Sequence, residues 1–167
     1  MLEFLRRLKR FIEIKPNFKK LVNYSLNKIS KSLIRSGYAL GMPHRVFLEL
    51  TNSCNLHCTL CPTGNGLLRR DKLMISFGKF KKIIDQMADY LIEAGIGGFG
   101  EPFLNKDIYS MLGYFKDKGI FVEIYTNLFP LDEEGIKKIV DLGVDKLIVS
   151  LDAWDANSYL CYKGVDG

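Results

Sequence analysis

Apolar residues recur at two periods along this chain, and the change falls near residue 45. Before it, Leu2, Leu5, Leu8 and Ile12 step by three or four residues, with Arg6, Arg7, Lys9 and Arg10 between them. That period predicts a helix. Pro16-Asn17 interrupts it, and Asn17 is placed to cap a second helix. Its stripe is Phe18, Leu21, Val22, Leu26, Ile29 and Leu33, ended by Gly37 and Gly41-Met42-Pro43. Beyond residue 45, short apolar runs alternate with amphipathic stretches. Runs 45–51, 91–98, 120–126 and 145–151 predict strands. Stretches 76–91 (opened by Ser76), 105–119 (capped by Asn105, stopped by Gly119) and 131–143 (acidic at its start, closed by Gly143) predict helices. Strands alternating with helices of this length predict βα units and a parallel sheet. The expected fold is α/β: an incomplete (β/α) partial barrel of about four βα units, residues 45–167, preceded by a helical segment, residues 1–44.

A parallel sheet collects chemistry at the carboxyl ends of its strands. Three cysteines, Cys54, Cys58 and Cys61, follow the first predicted strand in "CNLHCTLC". Gly100-Glu101-Pro102 follows the second, Thr126-Asn127 ends the third, and Ser150 and Asp152 flank the end of the fourth. All four clusters are expected on one rim.

Charge divides the chain at the same place as the apolar period. Residues 1–45 carry 11 basic and two acidic residues, a net +9, while residues 46–167 carry 13 basic and 17 acidic, a net −4. The basic character therefore belongs to the N-terminal segment, and no nucleic-acid partner is expected. Two readings of residues 1–36 stay open: an amphipathic hairpin packed on the domain, or a basic amphipathic helix that makes peripheral contact with an anionic membrane surface or touches a partner. The run "RRLKR" interrupts any apolar leader, and no stretch reaches the roughly 18 apolar residues of a membrane span, so a cytoplasmic protein is expected.

Three thiols cannot all pair, and reduced cytosolic thiols crowded on one loop are soft metal ligands. A closed zinc site wants four ligands, and His57 adjoins Cys58, which strains chelation of a single ion. An iron–sulfur cubane suits the loop better; with three local thiols, one iron is left open to a ligand. The fourth cysteine, Cys161, falls in a helix after the last strand and reads as a small buried apolar residue.

"CNLHCTLC" closely resembles the cluster motif of the radical S-adenosylmethionine (radical SAM) superfamily, and the resemblance runs from about Val46 to Gly164. It implies a [4Fe–4S] cluster on Cys54, Cys58 and Cys61, whose open iron holds S-adenosylmethionine. Reductive cleavage would then give a 5′-deoxyadenosyl radical that abstracts hydrogen from a substrate. Gly100-Glu101-Pro102 resembles the family's "GEP" beside the methionine amino group; taken alone, such a tripeptide is equally a turn. Thr126-Asn127 resembles "TNG", with Leu128 in place of glycine. Ser150 and Asp152 resemble "SLDG" near ribose and carboxylate, with Ala153 in place of glycine; Asp152 could equally cap the next helix. Lys163 in "YLCYKG" stands where the family has arginine, a point charge replacing a two-pronged fork. Leu60 stands where the family often has an aromatic residue lining the adenine pocket, and His57 reads as a solvent-side loop residue.

The resemblance implies a flavodoxin- or ferredoxin-like reductant and a peptide or small-molecule substrate. The pattern is similar to SPASM-type members, and the family core has six strands against four here, so the chain reads as the N-terminal part of a longer protein or a truncated frame. Two other function classes remain: a non-catalytic iron–sulfur or electron-transfer module, and a zinc-binding interaction protein.

Overall fold

The computed structural model describes residues 17–34 and 38–165. The expected helix over residues 2–12 lies outside the described residues. The chain runs through α1 (Phe18–Ile29), a π-helical turn (Ser30–Ile34), β1 (Arg45–Leu48), α2 (Phe77–Asp85), β2 (Glu93–Ile96), a 3-10 turn (Pro102–Leu104), α3 (Ile108–Asp117), β3 (Phe121–Thr126), α4 (Glu133–Asp141), β4 (Lys146–Val149) and α5 (Ala156–Lys163). The strands form one parallel sheet in the order β1-β2-β3-β4, with Leu48 beside Ile96, Ile96 beside Ile124 and Ile124 beside Leu147. The sheet with its alternating helices is an incomplete βα barrel.

Alternation along each strand sends one set of side chains to the helices and the other to the concave face. Ala94, Ile96, Val122 and Ile124 are fully buried with Phe80, Ile84, Met111, Leu112 and Phe115 from α2 and α3. Burying each such side chain contributes about 1.5–3 kcal/mol. The other face carries an aromatic pair above a charged network. The Phe47 ring lies 5.7 Å from that of Tyr125. It covers Gly95 and Gly97, where an added Cβ would stand 2.6 Å and 3.2 Å from ring atoms. Below the ring, Arg45 meets Glu93 at 3.2 Å, and Lys146 meets buried Glu123 at 2.9 Å.

Most boundaries fall inside the predicted spans, and the two expected helix starts at Ser76 and Asn105 differ in their bonding. The N-cap position of α3 is Asp107, while Asn105, two residues earlier, accepts the Asp107 N–H on Oδ1 at 3.0 Å and the Ile108 N–H on its carbonyl at 3.0 Å. Asn105 is 1% exposed, and its amide also donates to Leu50 O and Ile75 O, tying together both ends of the long β1–α2 connection. Ser76 stands at the start of α2 without a capping bond; Asp107 takes that role by accepting the Phe77 N–H at 3.0 Å.

The stripe of α1 does not face the core either: Phe18, Val22, Leu26 and Ile29 are exposed, and Lys20 and Asn23 are buried instead.

Candidate functional site

The loop after β1 carries the three thiols, and it is sewn to the ends of β2 and β3 and to α5. Leu56 anchors it at 3% exposure. Toward β2, the Glu101 N–H donates to Ser53 O at 2.8 Å. Gly100 packs so tightly that an added Cβ would stand 1.9 Å from Thr51 O, so only glycine fits there. Toward β3, the Asn127 amide nitrogen reaches Asn55 Oδ1 at 3.1 Å and Cys54 Sγ at 3.8 Å. Toward α5, the His57 and Thr59 N–H groups donate to Lys163 O (2.9 Å) and Tyr162 O (3.1 Å).

Glu101 is the knot of this rim. It is 2% exposed. Its Oε1 accepts from Thr126 Oγ1 (2.7 Å) and the Phe103 N–H (3.1 Å), and its Oε2 accepts from the Asn127 N–H (2.8 Å). Burial pushes the carboxyl above the usual glutamate value, opposed by those three hydrogen bonds. Pro102 begins the 3-10 turn that the bond from the Phe103 N–H caps. Leu128, where the resemblance has glycine, keeps φ at 65°, the left-handed conformation glycine favours.

Asp152 and Lys163 meet each other. The Lys163 ammonium is buried, donating to Asp152 Oδ2 at 2.6 Å and Ser150 O at 2.9 Å. Asp152 holds φ at 58°. The cap of α5 is Asp155, which accepts from the Ser158 N–H at 3.0 Å, so capping is not what Asp152 does. Ser150 joins β3 through its N–H to Thr126 O at 2.9 Å. Two residues stand apart from the rim contacts. Leu60 is 80% exposed, and Cys161 is exposed on α5 rather than buried as its composition suggested. His57 is exposed, as expected.

The donor set suits a sulfur-rich metal centre. The three motif cysteines are half-buried on one loop. Burial pushes the Cys54 and Cys58 thiols up, and the nearby Lys163 charge pulls Cys58 back down. Ligation replaces the thiol proton with a metal charge, which removes that burial penalty. Among the described residues, no three His, Cys, Asp or Glu side chains are grouped to hold one metal ion. A cubane spreads its thiolates around several irons instead. Two buried polar atoms of this same loop lack a protein partner, Asn55 Nδ2 and Thr63 Oγ1. Buried donors of this kind need an acceptor, and a cluster's sulfurs are acceptors. Gly64 lets the chain fold back beside them, since an added Cβ would stand 2.5 Å from Cys58 N. Sequence reasoning missed both donors, although each lies within two residues of a cysteine.

Residues 48–163 match the family model described as the Radical SAM superfamily. The AdoMet-dependent heme synthase of Methanosarcina barkeri is 30% identical over 75% of this chain and 36% of its own length. The PqqA peptide cyclase of Bradyrhizobium diazoefficiens is 27% identical over 66% of this chain and 29% of its own length. Among solved structures, Streptococcus suis SuiB bound to S-adenosylmethionine superposes with a TM-score of 0.67 at 21% identity, over 83% of this chain and 32% of that one. That likeness supports the fold. The chain spans about a third of the length of the curated relatives it matches, 29–39%.

Proposed function

The chain belongs to the radical SAM superfamily, and from that premise we propose that it holds a [4Fe–4S] cluster on Cys54, Cys58 and Cys61 and binds S-adenosylmethionine along the adjoining rim. The observation that carries this reading is the stitching of the three-thiol loop to the ends of β2 and β3 and to α5. When bound, the cluster would supply the electron that cleaves S-adenosylmethionine to methionine and a 5′-deoxyadenosyl radical, which takes hydrogen from a substrate.

The chain's own residues then position and enclose. Gly100 keeps the β2 loop close enough to the cysteine loop to form one wall. Glu101 orients Thr126 and Asn127, and Asn127 in turn holds the Cys54 side of the loop. Lys163, held by Asp152, places a positive charge beside Cys58, which favours the reduced, more negative state of a cluster there. Leu60 reaches outward on the loop, where it can cover an adenine bound from the solvent side. A flavodoxin- or ferredoxin-like donor would bring the electron. The substrate, a peptide or small molecule, would enter over the concave face beside Phe47 and Tyr125.

The test is anaerobic reconstitution of the full chain with iron and sulfide, followed by dithionite and S-adenosylmethionine. The expected outcome is about four irons and four sulfides per chain, as a cubane requires, with 5′-deoxyadenosine formed. Cys58→Ala should abolish the product. Cluster without cleavage would leave the iron–sulfur module reading standing, and zinc in place of iron would remove both.

A further inference from the structure

Helix α1 is docked the wrong way round for a surface helix. Such helices ordinarily bury their apolar stripe and expose their polar one. Here the polar side holds the domain. Lys20, 3% exposed, donates to the carbonyls of Lys118 and Gly119, both at 3.0 Å, at the end of α3. Asn23 exchanges two hydrogen bonds with the Met42 backbone, at 2.9 Å and 2.8 Å. Asn27 donates to Met42 O at 2.8 Å. On the opposite side, Phe18, Val22, Leu26 and Ile29 are 79%, 41%, 36% and 44% exposed. Leu40 and Met42 extend this face, and together with Tyr90 they line a shallow groove of about 380 Å³. At about 100° per residue, Lys28 borders the apolar stripe on one side and Lys19, paired with Asp89 at 2.9 Å, on the other.

We propose that α1 is a docking face for an anionic lipid bilayer, which it meets with its apolar stripe while its polar side holds the barrel. Charge selects this occupant. Residues 1–45 carry a net +9, against −4 for the remainder. A second copy seated on the same face would bring +9 against +9. Residues 1–16 are themselves net basic, with Arg6, Arg7, Lys9, Arg10 and Lys15 against Glu3 and Glu13, so they too bring like charge. An anionic bilayer answers both the apolar area and the positive charge. Contact would be peripheral, since no described helix is long and apolar enough to cross a membrane.

The full chain without added metal is mixed with vesicles of phosphatidylcholine alone, or of phosphatidylcholine with one-third phosphatidylglycerol, and sedimented. The outcome is therefore independent of the cluster chemistry. The chain should bind the anionic vesicles at least tenfold more tightly, and salt should weaken that binding. Leu26→Glu should lose at least tenfold, with an unchanged melting temperature; Val22→Glu serves if that variant misfolds. Equal binding to both vesicles, no binding, or binding indifferent to both substitutions overturns the proposal. A dimer that Leu26→Glu dissociates, with no vesicle binding, would assign the face to a second copy. Residues 1–16 that become trypsin-sensitive only in the variant, again with no vesicle binding, would assign it to the chain itself.

Discussion

Single side chains decide the rim. Glu101 accepts three hydrogen bonds with two oxygens, so Glu101→Gln leaves an amide N–H pointing at the Asn127 N–H. The expected cost is about 1–3 kcal/mol, read as a lower urea midpoint. Thr63 tests the proposed cluster. Its buried hydroxyl has no protein acceptor, and beside the proposed cluster a hydrogen bond to sulfur would stabilise the reduced, more negative state. Losing about 1 kcal/mol of that preference in Thr63→Val lowers a one-electron midpoint potential by about 40 mV, measured by redox titration of the reconstituted protein. An unchanged potential would assign the hydroxyl to the loop alone. At this scale the sequence was partly legible. Cysteine spacing singled out the three thiols that lie half-buried on one loop; Asn105 before an apolar run read as a helix start, and only burial shows that it also ties two backbone carbonyls. Asp152 and Lys163 each resembled a ligand contact, and nothing in linear order shows that the left-handed turn at Asp152 aims one at the other.

Elements carry the acid response. Glu123 lies on the concave side of β3, where its neighbours come from three strands. Burial alone would raise its carboxyl, but the Tyr125 hydroxyl, Lys146 and Arg45 together hold it below the ordinary glutamate value of 4.5. A depressed folded-state value means the stabilisation is present above the unfolded value and is lost as pH falls through the folded one. Urea unfolding from pH 7 to pH 3 should therefore show wild type and Glu123→Gln converging in acid. A gap that stays constant with pH would exclude this titration. The strands themselves were readable from alternating apolar runs, and α4 from its acidic start and Gly143 stop. The orientation of α1 was not readable, because a helical period reports that a stripe exists and leaves open which way it points. Here two carbonyls at the end of α3 and the Met42 backbone recruit its polar side.

The whole molecule is a one-sided stack: β1 through β4 lie in the order in which they occur in the chain, and each strand pairs with the one before it. Among the described strands β4 pairs on one side only, and its Leu147 and Val149 side chains are partly exposed, the kind of edge proteins cover with a further strand or partner. The resemblance to a six-stranded core anticipated an open edge, but the stitching of the thiol loop was illegible, since it depends on backbone approaches such as Gly100 against Thr51. That stack has a consequence for biogenesis. A ribosome delivers these strands in their spatial order, so each can dock on a finished neighbour as it emerges. The thiol loop appears early, yet the residues of its backbone clasp, Tyr162 and Lys163, follow far later in the chain. During translation the thiols are therefore made long before the loop is clasped, and an iron–sulfur donor that waits for the clasp would load chains that have reached α5 in preference to shorter nascent ones.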